Sequence, residues 1–137
     1  MKVFAKRILI TSFLLACIFT LIPNIQTEAA VSGEFRIWAQ DNGDYDGVKI
    51  WHHQGGNISA KIFQQGIHSG QQANTVWTLR TASGREISAT YLPFDYNGTI
   101  TFYSVAPGDY TLTWKSLTNN DTEGTYRVYS NGGSIFK

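Results

Sequence analysis

Two short phrases, Arg36-Ile37-Trp38 and Lys49-Ile50-Trp51, repeat the order basic, isoleucine, tryptophan thirteen residues apart. Read as two arms of one hairpin, they put Phe35, Ile37 and Ala39 on a core face with Val48 and Ile50. Arg36, Trp38 and Gln40 then share the opposite face with Lys49, Trp51 and His53, because strand side chains alternate. An indole flanked by cationic and hydrogen-bonding side chains suits sugar recognition: the ring stacks on the apolar face of a pyranose while its neighbours bond to the hydroxyls. Aromatic and arginine anchors serve protein partners equally well. The opposite register, with both tryptophans in the core, agrees with the high average burial of this residue, and a loop covering the second face is a third arrangement.

Between the two phrases runs Asp41-Asn42-Gly43-Asp44-Tyr45-Asp46-Gly47. Asn42, Asp44, Asp46 and Gly47 match the opening of a calcium loop, in which alternate oxygen ligands converge on a hard cation while glycine permits the turn. The twelfth position of that pattern is His53 rather than a bidentate glutamate, and strands flank the loop. An Asx-rich hairpin loop needs the same residues, so no cofactor is expected, with calcium at Asn42, Asp44 and Asp46 as the alternative. His52 and His53 are adjacent, which on a strand sends them to opposite faces, and His68 stands alone, so no zinc site emerges.

No catalytic constellation is visible. Ser83-Gly84 reads as a turn rather than a strained nucleophile elbow. Glu34, Glu86, Asp95, Asp109 and Glu123 are scattered mostly at strand ends and turns, with nothing pairing two of them as acid and base. The expectation is a protein that is not an enzyme. Asn57-Ile58-Ser59, Asn97-Gly98-Thr99 and Asn120-Asp121-Thr122 are glycosylation sequons, of consequence only in a eukaryotic host.

The elements that must position these residues are strands. From Glu34 onward, β-branched and aromatic runs alternate with Gly, Asn, Asp and Pro clusters at the spacing of sandwiches and barrels. The pattern predicts strands over 34–40, 48–53, 57–64, 74–81, 86–92, 98–105, 109–117 and 124–130, with Gly66 to Asn74 a surface loop and no helix. Ile100 and Phe102, then Tyr110, Leu112 and Trp114, then Tyr126 and Val128 recur at period two, so these three segments suit one antiparallel sheet with one buried side. With no helix to cover that side, a second sheet must, which predicts an all-β, antiparallel two-sheet β-sandwich of seven or eight strands, or else a closed barrel. The phrase Ala106-Pro107-Gly108-Asp109-Tyr110-Thr111-Leu112-Thr113-Trp114 is similar to the turn-into-strand phrase of immunoglobulin-like and prealbumin-like extracellular modules. That resemblance covers nine residues and implies architecture alone.

The first 30 residues have the form of an export leader, leaving residues 31–137 as a single domain. Lys2, Lys6 and Arg7 precede an apolar run from Ile8 to Ile22, and Pro23 and a polar stretch lead to Thr27-Glu28-Ala29-Ala30. The run is short for a bilayer span of roughly 20 residues. Cleavage after Ala29 fits the small-residue rule better than cleavage after Ala30, and the lysine-led leader resembles bacterial ones. Cys17, the only cysteine, lies in Leu14-Leu15-Ala16-Cys17, which resembles a lipobox, so lipid anchoring is the alternative to release. The apolar residues that follow it argue for release, which leaves a domain without disulfides to be held by its core.

Of the 11 Lys and Arg and the 10 Asp and Glu, Lys2, Lys6, Arg7 and Glu28 lie in the leader, leaving eight against nine and a net charge of −1. Nucleic acid and anionic membranes therefore lose their usual attraction. The expectation is a secreted, non-catalytic protein binding an extracellular glycan or cell-wall polymer through Trp38, Trp51, Arg36, Lys49, Gln40 and His53. A protein-directed factor, an enzyme inhibitor, toxin-like effector or self-associating matrix component, is the alternative.

Overall fold

The computed structural model describes residues 27–38, 47–118 and 120–137. Among them it contains nine strands: β1 (Glu28–Ile37), β2 (Val48–His53), β3 (Gly56–Gly66), β4 (Thr75–Thr81), β5 (Glu86–Leu92), β6 (Tyr96–Val105), β7 (Gly108–Ser116), β8 (Thr122–Asn131) and β9 (Ser134–Phe136). Eight fall where periodicity placed them. β1 starts six residues earlier than expected, because Ala29, Ala30, Ser32 and Gly33 are too small to mark a period and only the ladder to β8 reveals the strand. Its first three residues pair with Asn131, Ser130 and Tyr129, so cleavage after Ala29 would leave β1 to begin at Ala30. β9 is three residues long, too short for alternation to show. The first 26 residues of the expected leader, Cys17 among them, as well as Gln40 and the candidate calcium residues Asn42, Asp44 and Asp46, lie outside the described residues.

The strands form two antiparallel sheets, a four-stranded one ordered β1-β8-β3-β6 and a five-stranded one ordered β5-β4-β7-β2-β9, and they do not close into a barrel. Every link crosses from one sheet to the other except β4 to β5. The first eight strands thus follow jelly-roll order, so the expected two-sheet sandwich is present with a strand order other than the immunoglobulin-like one. It also corrects two expectations. β1 and β2 are not arms of a hairpin but belong to opposite sheets, and β6, β7 and β8 are not neighbours: β3 separates β6 from β8, and β7 lies across the core. Alternation specifies which side of a strand meets the core, and it carries no information on which strand lies beside it.

The inward faces are the expected ones. Phe35, Ile37, Val48, Ile50, Ile100, Phe102, Tyr110, Leu112, Trp114, Tyr126 and Val128 are all buried in one cluster. Its centre is aromatic: Trp77 stacks on Trp114 at 4.6 Å and 27°, and Phe35 meets the Trp77 edge at 5.6 Å and 79°. Tyr126 lies 5.0 Å from Trp114 and closes the cluster. Burial raises the Tyr126 hydroxyl above the ordinary tyrosine pKa.

Two glycines make room for these rings. Gly33 in β1 faces Tyr126 in β8, and Phe35 in β1 faces Gly124 in β8, so each ring lies over the glycine opposite. A Cβ at Gly124 would come within 2.7 Å of the Phe35 ring and strike the Phe63 carbonyl.

A chain of buried polar groups ties the sheets together beside the cluster. The Trp77 indole N–H donates to Thr75 Oγ1 at 3.1 Å, the Thr75 hydroxyl donates to Gln64 Oε1, and Gln64 Nε2 donates to the Leu92 and Phe94 carbonyls. With each member satisfied, the chain fixes β3 against β4 and the β5–β6 link at little desolvation cost.

Candidate functional site

With the inward residues committed to the core, the outward residues of β1, β8, β3 and β6 line up in rows across the four-stranded sheet. Arg36, Glu123 and Gln65 form one row; Glu34, Thr125, Phe63 and Asn97 the next; Ser32, Arg127, Lys61 and Thr99 the third. Large side chains stand around the small Thr125 and Ser32, and two shallow depressions of about 440 and 550 Å³ result. Both are lined by Glu34, Phe63 and Thr125, so they form one continuous groove.

One end of the groove is held by a charged network. Arg36 Nη2 donates to Glu123 Oε2 at 2.7 Å, and Gln65 Nε2 donates to Glu123 Oε1 at 3.1 Å. The Arg36 hydrogen bond, reinforced by Gln65, holds the Glu123 carboxyl below the ordinary carboxylate pKa, so it stays an acceptor at neutral pH. The same guanidinium stands 5.3 Å from the centroid of the Trp38 ring, which is 47% exposed. Further along, Phe63 is 40% exposed in the middle of the polar rows.

Of the residues expected to bind ligand, Arg36 therefore lines this groove and Trp38 stands beside its guanidinium, lining neither depression, and the wet register holds for both tryptophans. Trp51 and Lys49 point outward as well, but from the five-stranded sheet. There the Trp51 ring, 49% exposed, meets Phe136 and His52 edge-on, each at 6.4 Å. The two tryptophans thus stand on different sheets and do not form one platform.

His53 departs from the expectation. It is 1% exposed, not on the wet face with Trp51. The β2–β7 register shifts between Ile50 and His53, and His52 takes a φ of 58°, so the extra residue turns the next side chain inward. His53 Nδ1 lies 2.8 Å from Ser130 Oγ. Burial lowers its pKa below the ordinary 6.5, opposed by backbone groups of Gly56 and Val105, and the ring is neutral at pH 7. His52 is exposed, its backbone N–H donating to Asp109 Oδ1 at 2.7 Å. His68 pairs with Asp121 at 2.8 Å. Among the described residues no three His, Cys, Asp or Glu side chains are grouped to hold a metal ion.

Phe63, Lys61, Arg127, Thr125 and Glu34 escaped the sequence reading. A signal was present for Phe63: Ile58, Ala60 and Ile62 set the buried phase of β3, and Phe63 is an aromatic on the other phase beside Lys61 and Gln65. Their convergence with β1 and β8 had no local signal.

No family model and no curated protein matches the chain. Among solved structures, it is similar to the Yersinia pseudotuberculosis-derived mitogen, with a TM-score of 0.44 and 17% identity over 79% of this chain and 88% of that one.

Proposed function

We propose that this chain is a secreted, non-catalytic β-sandwich that binds an extracellular glycan or cell-wall polymer along the outer groove of its four-stranded sheet. The observation that carries the reading is the groove itself: an exposed Phe63 ring among donors and acceptors of both signs, with Arg36 at one end and the Trp38 ring beside that guanidinium. Sugars ask for this combination, an apolar plate for the ring face and directional partners for the hydroxyls. The open, shallow shape suits a chain that passes over the sheet better than a small molecule that must be enclosed.

The test is depletion of the purified protein by insoluble polysaccharides and bacterial cell walls. Retention on one polymer is expected, falling at least tenfold in folded Phe63→Ala and Trp38→Ala variants. Retention by none, or retention that both variants keep, would sink the reading. Mass determination of the exported protein tests the leader: a chain beginning at Ala30 supports release, and a lipid on Cys17 overturns it.

A protein partner is the second reading, favoured by Trp51, Phe136 and His52 on the opposite sheet. Aromatic side chains of this kind anchor protein interfaces. Trp51→Ala separates the two readings, since it leaves polymer retention unchanged if the groove is the site.

A further inference from the structure

Lys61 in β3 and Arg127 in β8 are register partners, side by side on the outer face of the four-stranded sheet, and both are exposed. Like charges placed directly opposite each other destabilise a sheet. A carboxylate in either position would stabilise the sheet instead. Among the described residues no carboxylate pairs with either cation. Glu123 is occupied by Arg36 and Gln65, and Glu34 stands opposite Thr125, one row away. Arg127 has the Tyr129 ring beneath its guanidinium at 5.4 Å, a contact that leaves its N–H donors available. Ser32 and Thr99 end the row with hydroxyls, and Phe63, two residues from Lys61 on the same face, supplies the apolar plate.

We propose that the groove selects an acidic glycan, whose carboxylate or phosphate group docks between Lys61 and Arg127 while the adjoining sugar lies on Phe63. The inference rests on the glycan reading and specifies its substrate class. A planar guanidinium and a compact ammonium recognise an oxyanion together: the first offers paired N–H donors, the second a point charge. The anion also removes the repulsion between the two cations, so binding strengthens the fold locally instead of only adding contacts. Residues 31–137, with eight cationic side chains against nine anionic ones, offer no general attraction to polyanions, so the selectivity falls to this one pair.

The test uses the full exported chain and three soluble polymers in affinity electrophoresis: polygalacturonate, its fully methyl-esterified form, and poly(glycerol phosphate). Retardation by polygalacturonate, by poly(glycerol phosphate) or by both is expected, at least tenfold stronger than by the neutral ester. Which polymer retards identifies carboxylate or phosphate as the source of the anion. Lys61→Gln/Arg127→Gln should lose that retardation, and Lys115→Gln/Arg85→Gln, with the same change in net charge, should keep it. Equal retardation by neutral and acidic polymers, insensitive to Lys61→Gln/Arg127→Gln, overturns the inference and leaves the glycan reading standing. Equal loss in both double variants also overturns it, because bulk charge would then be the cause. Retardation by no polymer here, together with no depletion by any insoluble one, sinks both. Folding gives an independent readout: Lys61→Gln should raise the unfolding midpoint of the free protein by on the order of 1–5 °C, and a fall would show that the pair belongs to the fold's own stability.

Discussion

Trp77 and Trp114 lie stacked between the two sheets, 0% and 3% exposed, whereas Trp38 and Trp51 stand about half exposed on opposite outer faces. All four belong to β-rich sequence, so residue type does not explain the division. Strand phase does. Trp114 keeps step with Tyr110 and Leu112, and Trp77 with Leu79, so their rings stack side by side on the inner face of the five-stranded sheet. Trp51 follows the inward Ile50, and Trp38 follows the inward Ile37, so both are turned out. A large apolar side chain in the polar phase contributes little to folding and remains free to contact something else. The comparison therefore separates residues that hold this domain together from residues that the fold leaves exposed.

The sharpest way to break that division is to truncate both kinds. Trp77→Ala should cost about 3–5 kcal/mol, since it opens a cavity in the aromatic cluster and removes the indole N–H that donates to Thr75 Oγ1; urea denaturation measures it, and a loss below about 1 kcal/mol would show that the cluster is not the mechanical centre. Gly124→Ala should follow at about 1–3 kcal/mol, because the added Cβ meets the Phe35 ring and backbone of β3 and something must shift. An unchanged urea midpoint would mean that the crossed glycine and aromatic pairs are incidental.

Next comes a pH effect at the bulge that sets His53 apart from Trp51. Because burial holds the folded His53 pKa below 6.5, the unfolded chain takes up a proton first as pH falls. The contribution is therefore fully present above about pH 6.5 and is lost as pH falls through the lower folded value. Stability measured from pH 7 down to pH 5 should decline less in His53→Gln than in the parent, and identical slopes would remove His53 as the cause. The smallest effects belong to the outer rings. Trp38→Ala should cost about 0.5–1 kcal/mol through its contact with Arg36, and Trp51→Ala should stay within about 0.5 kcal/mol. A larger loss at either position would move that tryptophan to the structural side of the comparison.

Much of the fold was legible because hydrophobic period and turn chemistry are local. Ile100 and Phe102, or Tyr110, Leu112 and Trp114, announce both a strand and its inward side, and Ser83-Gly84 and Pro107-Gly108 mark breaks, whereas Asn97-Gly98, a turn by residue type, is paired within β6. The candidate site was legible only in part. Arg36 and Trp38 were found, and Phe63 was out of phase and visible in principle. His53 was misplaced because a bulge adds one residue to the count, and nothing local distinguishes a bulge at His52 from a regular strand. The hairpin joining Trp38 to Trp51 was inferred from proximity in sequence, whereas jelly-roll links cross between the sheets.

The sequence by itself determined that the chain is all-β, where eight strands run, and which side chains of each face inward, because these follow from alternation along a few residues. Only the tertiary structure decided which strands are neighbours, since β1 lies beside β8 some ninety positions away and pairing energy is nearly indifferent to loop length. It therefore also decided that Lys61 and Arg127 stand side by side, and that Trp38 and Trp51 do not.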